Sequence, residues 1–283
     1  MKLVRHGALV AEKPGLIDED GHIRDLSTVV KDIDGQALSR AGLEAIRRAD
    51  VSALPLVEKD VRLGPCVARP GNFIAIGLNF SDHAAEANMA VPTQPIVFNK
   101  APSSIAGPDD DIVLAPDAVK TDWELELAVV IGEPAYRIPA KGALDFVAGY
   151  CICNDISERG WQLERGGQWT KGKSAPGFGP LGPFLVTRDE ISDPQALAME
   201  LRLNDEIMQS GSTATMVFGI AEIISHLSQF MVLEPGDVIA TGTPAGVGMA
   251  SKPPRFLRDG DVMELEIAGL GKQRQKIIQV AES

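Results

Sequence analysis

Glycine and proline are spread unevenly along this chain, and their distribution limits its architecture more than any other feature. Of 28 glycines and 19 prolines, seven fall within residues 1–63 and the rest within residues 64–283. They make up about one residue in six, above the roughly 12% usual in globular proteins. Helix interiors tolerate glycine poorly and proline hardly at all, so the part after residue 63 reads as many short segments joined by turns. That predicts an α+β protein, predominantly β, with functional loops. At 283 residues the chain has room for one large domain, or one domain with a small appendage. Arg69-Pro70-Gly71 marks the division between a small N-terminal α+β unit, residues 1–68, and a larger unit, residues 69–283.

The charge balance removes one class of function. The 39 acidic residues outnumber the 27 Lys and Arg, leaving a net charge of −12 with no dense basic run. A protein that grips nucleic acid needs a basic face to displace phosphate counterions, so nucleic acid is not an expected partner. No apolar run approaches the roughly 18 residues of a membrane span, so no membrane partner is expected either. Cys66, Cys151 and Cys153 form an odd set in a chain that opens without a secretory leader, which favours free thiols in a reducing compartment. The expectation is a soluble cytoplasmic protein.

In the N-terminal unit, residues 16–24 read as two short strands around the Asp20-Gly21 turn, followed by a helix from Ser39 to Ala49. Strand candidates in the larger unit are 73–77, 96–99, 123–131, 149–154, 181–186, 199–203, 238–241 and 262–267. Two helices are predicted: one from near Asp155 to about Arg165, and one over 214–230 with Val217, Ile220, Ile224 and Leu227 at helical spacing.

The strand 123–131 carries the first chemical signal. Side chains alternate along a strand, so Glu124 and Glu126 share a face with Ala128 and Val130, and Trp123, Leu125, Leu127 and Val129 take the other. Two carboxylates on a partly buried face are costly without a cation. A hard metal ion supplies one, and with no His or Cys nearby the donors suit Mg²⁺ or Mn²⁺ rather than zinc. An exposed acidic strand face is the plain alternative. Asp155 follows the apolar strand 149–154, and a helix from there would align Arg159 and Gln162 with it at i+4 and i+7. His83 and Glu86, three residues apart, suit a carboxylate-oriented imidazole acting as general base, although surface helices often carry that spacing too.

Residues 169–180 are too rich in Gly and Pro for a helix. Gly167 to Ser174 fits the spacing of a phosphate-binding loop, but no apolar strand leads into it and Pro176 blocks a following helix, so Lys173 reads better as a cation beside the metal. The loop 241–248 offers backbone amides for an anionic group. Cys151 and Cys153 share a strand face and read as core.

Taken in order, Gly77 to Glu86, Glu124-Leu125-Glu126, Asn154-Asp155 through Arg159 and Gln162, Lys171-Gly172-Lys173-Ser174, Asn204-Asp205-Glu206 and Pro235-Gly236-Asp237 through Gly248 resemble the fumarylacetoacetate hydrolase family over roughly residues 70–283. The resemblance implies a mixed β-roll catalytic domain, a homodimer, and Mg²⁺ or Mn²⁺, with Ca²⁺ as a substitute, held by Glu124, Glu126 and Asp155. It implies that His83 and Glu86 activate water on a mobile lid, that Lys173 acts in catalysis, and that Arg159, Gln162 and Thr243 contact substrate. The implied reaction is hydrolysis of the C3–C4 bond of a 2,4-diketo acid, of the acylpyruvate type or a diketo-deoxy sugar acid, to pyruvate and a carboxylic acid. The partner would be a small anionic 2-oxo acid. The same family chemistry extends to isomerases, decarboxylases and lyases, and a silent ligand-binding member is the alternative from outside enzymology.

Overall fold

The computed structural model describes residues 1–86 and 90–280, and in them strand predominates over short helices. The centre is the strand Leu125–Ile131, every residue of which is buried, paired antiparallel with Val147–Asn154 and with Val238–Ala240. Its unbroken apolar character beyond Glu126 is what a strand covered on both faces requires. Phe73–Gly77 pairs parallel with Val238–Ala240, and Ile96–Lys100 follows it antiparallel. These strands belong to a sheet of eleven.

The N-terminal residues, expected as a separate small unit, share this sheet. Lys13–Ile17 and Ile23–Asp25 form the expected hairpin, with Leu16 opposite Arg24 and Gly21 at φ 82° in the turn. Lys2–His6 pairs with Lys13–Ile17 on one side and with Gly179–Thr187 on the other. The helix Arg40–Arg47, capped by Ser39, buries Leu43 and Ile46. They join Leu3, Leu185, Val130, Cys151 and Cys153 in one apolar layer, which makes the two strand cysteines core residues as expected.

The opposite face of the sheet shares the main core with a second sheet of five strands, ordered Glu206–Ser212, Ala198–Leu203, Val262–Ile267, Gly271–Gln279 and Ile112–Leu114. Leu125, Leu127 and Val129 meet Leu201, Leu265 and Ile277 there. Alternation along 125–131 therefore divides the two faces as read from the sequence. Helix Ile220–Ser228 packs Ile223, Ile224 and Leu227 into the same core. Nine residues make no stable helix alone; burial, worth about 1.5–3 kcal/mol per large apolar side chain, holds it.

Four readings of local structure are corrected. The helix expected from Asp155 begins only at Arg159: Ser157–Glu158 is a short strand against Thr121–Asp122, and the Glu158 carboxylate caps the helix Arg159–Leu163 by accepting from the Gly160 N–H. The helix expected over 214–230 is confined to Ile220–Ser228, because Ser212 accepts from the Ala214 N–H to close a tight turn at Thr213–Thr215. Residues 170–173, expected to be non-helical, form one helical turn, tied to strand Ile96–Lys100 by the Thr170 hydroxyl donating to the Asn99 carbonyl. Strands Glu206–Ser212 and Gly271–Gln279 were not anticipated, since Gln209, Gln273 and Gln275 take the buried positions that apolar residues usually hold.

Candidate active site

Strand register assembles the acidic residues. Leu125 lies opposite Asn154, so the next pair outward sets Glu124 beside Asp155, whose N–H donates to the Glu124 carbonyl at 2.8 Å. Glu126 shares the face of Glu124. Carboxylate oxygens of Glu124, Glu126 and Asp155 lie within 4.8 Å of one another, and all three residues are buried.

Cations are threaded among them. Lys173 Nζ lies 2.6 Å from Glu124 and 2.7 Å from Asp155. Arg159 Nη1 lies 2.7 Å from Glu124, while its Nε donates to Asp122 at 2.9 Å and Nη1 to Gln162 at 3.1 Å. Lys100, with no exposed side-chain surface, contacts the other oxygen of Asp155 at 2.6 Å and donates to the Lys173 carbonyl. Four carboxylates, including Asp122, thus face three cations in one buried cluster. Burial works against the charge on Glu124, but Lys173 and Arg159 outweigh it and hold that carboxyl well below the usual range. Glu126 has no such partner: burial, with Asp155 and Glu124 adding to it, pushes its carboxyl well above the usual range. Burial alone would lower Lys173, yet Asp155 and Glu124 keep its pKa raised. An excess of hard oxygen donors in a buried site, one of them charged only at a cost, fits a hard divalent cation.

His83 stands on the helix Ser81–Glu86, which follows strand Phe73–Gly77. Asn79 fixes that junction, donating to the carbonyls of Thr241 and Phe218 and accepting from the Phe218 N–H. His83 Nδ1 is 3.5 Å from Glu86 Oε2, beyond hydrogen-bond length, and the Glu86 carboxylate accepts from the Gly246 N–H. A cavity of about 170 Å³ brings together His83, Glu124, Glu126, Arg159, Gln162, Lys173 and Thr243. Asp155 lies fully buried against this group, and Glu86 stands behind His83.

Two expectations change at this site. Asp155, Arg159 and Gln162 do not share a helix face, since Asp155 precedes the helix; strand pairing brings Asp155 in instead. The loop 241–248 does hold anions, but they are the chain's own. Gly242 N–H donates to Glu126, Gly246 N–H to Glu86, and the N–H groups of Gly248 and Met249 to Asp122. Gly242 is required there: its φ is 100°, and a Cβ would sit 2.8 Å from that of Asn79. Thr243 reaches the cavity with its hydroxyl already donating to the Leu125 carbonyl and accepting from Gln209. Lys100 and Asp122 went unnoticed in the sequence. Their signals are slight: Lys100 is the single charge that closes Ile96–Asn99, and Asp122 continues the two-residue spacing of Glu124 and Glu126.

A sequence model of the family described as "Fumarylacetoacetate (FAA) hydrolase C-terminal" matches residues 72–278. The chain belongs to the fumarylacetoacetate hydrolase family. Within it, a Burkholderia multivorans protein named provisionally as a hydrolase is 56% identical over 276 residues, covering 97% of this chain and 98% of its own. The crystal structure of a Mycobacterium abscessus protein described as a probable 2-hydroxyhepta-2,4-diene-1,7-dioate isomerase superimposes with a TM-score of 0.84 at 37% identity, over 100% of each chain. Maleylpyruvate hydrolase from Sphingobium sp. SYK-6, solved with manganese(II) and pyruvate, gives 0.83 at 28% identity, over 99% of this chain and 100% of its own. The fumarylacetoacetate hydrolase fold is thus shared by enzymes of more than one activity.

Proposed function

We propose that the protein is a Mg²⁺- or Mn²⁺-dependent hydrolase that cleaves the C3–C4 bond of a 2,4-diketo acid into pyruvate and a carboxylic acid. The observation that carries this reading is that Glu124 and Glu126, with Asp155 buried against them, line the same small cavity as His83. Manganese and pyruvate in the Sphingobium relative support it. A divalent ion held by Glu124, Glu126 and Asp155 would supply a Lewis acid for the pyruvoyl end of the substrate.

The chain's own groups do the rest. Glu86, 3.5 Å from His83 Nδ1, is placed to close on that nitrogen as substrate binds, leaving Nε2 to take a proton from water, whose oxygen adds to C4. The C3–C4 bond breaks, C3 gains a proton and pyruvate leaves. Lys173, Arg159 and Gln162 line the cavity where negative charge develops, and their positions are fixed before the reaction begins. With a divalent ion present, the buried cluster carries one net positive charge, which suits one substrate carboxylate.

Isomerisation by proton transfer on the same site is the second reading, favoured by the Mycobacterium abscessus relative. Product analysis separates them: hydrolysis yields pyruvate and the cognate acid in equal amounts, whereas an altered double bond with no pyruvate would establish the isomerase. Asp122 offers a further check, because it holds both Arg159 and the N–H groups of Gly248 and Met249. Hydrogen bonds to charged groups contribute about 1.5–3 kcal/mol, so Asp122→Asn should lower kcat/KM for pyruvate release by roughly 10–100-fold. A value within twofold of wild type would remove Asp122 from the positioning of Arg159.

A further inference from the structure

We propose that the substrate tail beyond C4 is short and uncharged, and that Leu78, Phe98, Leu163, Trp169 and Met249 impose this choice. The inference rests on the pyruvoyl-end reading above and extends it to the part of the substrate that leaves as the carboxylic acid. The cavity lining is of two kinds. His83, Glu124, Glu126, Arg159, Gln162, Lys173 and Thr243 are polar, while the five residues named above and Ile76 are apolar.

Phe98 and Trp169 meet edge to face, with ring centroids 5.3 Å apart at 65°. This geometry is a favoured one for aromatic pairs and fixes both rings as a wall. Gly77 admits the indole, because any Cβ at that position would collide with it. Phe98 also carries the Lys173 ammonium 5.1 Å from its ring centroid, so apolar and charged lining meet at this ring.

Among the described residues, no Lys or Arg lining the cavity is without a carboxylate partner. The cations lining the cavity are Arg159 and Lys173, both committed to Asp122, Glu124 and Asp155. The neighbouring loop carries Arg165, paired with Asp117, and Lys171, which donates to the Arg165 carbonyl. Residues 77–95 include no Lys or Arg. A distal carboxylate would lose its hydration against Phe98 and Trp169 with nothing to replace it. Size points the same way: about 170 Å³ falls below the roughly 300–1,000 Å³ of common small-molecule sites.

Calorimetry with the Mn²⁺-loaded protein tests the tail preference without relying on turnover. The probes are 5-methyl-2-oxohexanoate and 2-oxoglutarate, which differ by an isopropyl group in place of a carboxylate. The first should bind at least tenfold more tightly, and Leu163→Arg, a change at a half-exposed rim position, should narrow that ratio at least tenfold. Pyruvate release from 5-methyl-2,4-dioxohexanoate should likewise exceed that from 2,4-dioxopentanedioate, and release from 2,4-dioxo-4-phenylbutanoate should be at least tenfold slower until Trp169→Ala enlarges the cavity. Equal or tighter binding of 2-oxoglutarate overturns the inference, whether or not pyruvate is formed. A retained binding preference with no pyruvate release from any diketo acid overturns the hydrolase reading and leaves the tail preference standing. If neither oxo acid binds, both fail.

Discussion

His83→Ala should lower kcat for pyruvate release by 10²- to 10⁴-fold, the usual worth of a positioned general base, while KM stays within a few-fold. The reasons are positional. The imidazole lines the cavity beside Glu124, Glu126 and Lys173, and Glu86 stands behind it, held by the Gly246 N–H. The 3.5 Å separation of His83 and Glu86 is of the kind that shortens when substrate fills a site. Glu86→Gln keeps the shape and removes the charge that stabilises the imidazolium, so it should fall between wild type and His83→Ala. A kcat for His83→Ala within threefold of wild type would assign water activation to another group.

Lys100→Met should give the largest loss of stability of any conservative change near the site. The methionine matches the lysine in length, but Asp155 is left, fully buried, with Lys173 as its remaining cation. Removing one member of a buried charge pair costs about 3–5 kcal/mol, which for a protein of this size lowers Tm by on the order of 10 °C. Divalent metal should restore part of that loss, because it binds the folded carboxylates and not the unfolded chain. Lys100→Met/Asp155→Asn should be less destabilised than the sum of the single changes, since the double variant has neither an unpaired acid nor its partner. A Tm within about 2 °C of wild type for Lys100→Met would mean that Asp155 does not depend on this lysine.

Local alternation made part of this site legible. Glu124 and Glu126 belong to one strand, and a two-residue period places them on one face without any knowledge of the fold. His83 and Glu86 are similarly local. Asp155 is legible from its place at the end of an apolar strand, but the helical spacing to Arg159 and Gln162 does not hold, because Ser157–Glu158 pairs with Thr121–Asp122 before the helix begins. Lys100 and Asp122 act across 55 and 37 residues of chain, on Asp155 and Arg159 respectively. Asp122 comes beside Arg159 because Thr121–Asp122 pairs with Ser157–Glu158, whereas Lys100 meets Asp155 through tertiary packing between strands that are not neighbours in the sheet, and no local pattern encodes either contact. The strand Gly271–Gln279 hid behind its glutamines, although Lys272, Arg274 and Lys276 alternate with them and mark its exposed face. The loop 241–248 reads as an anion cradle in sequence, and the carboxylates that fill it, Glu86, Glu126 and Asp122, come from distant parts of the chain that only the fold sets beside it.

Removing divalent metal with a chelator and then following pyruvate release from 5-methyl-2,4-dioxohexanoate joins the carboxylate cluster to the chemistry in one experiment. The stripped protein should release no pyruvate, Mn²⁺ or Mg²⁺ should restore release, and neither ion should restore it, or raise Tm, in Glu124→Gln or Glu126→Gln. Pyruvate release by the stripped wild type, or metal stabilisation that persists in both variants, would contradict a site in which Glu124, Glu126 and Asp155 hold the ion that the hydrolysis requires.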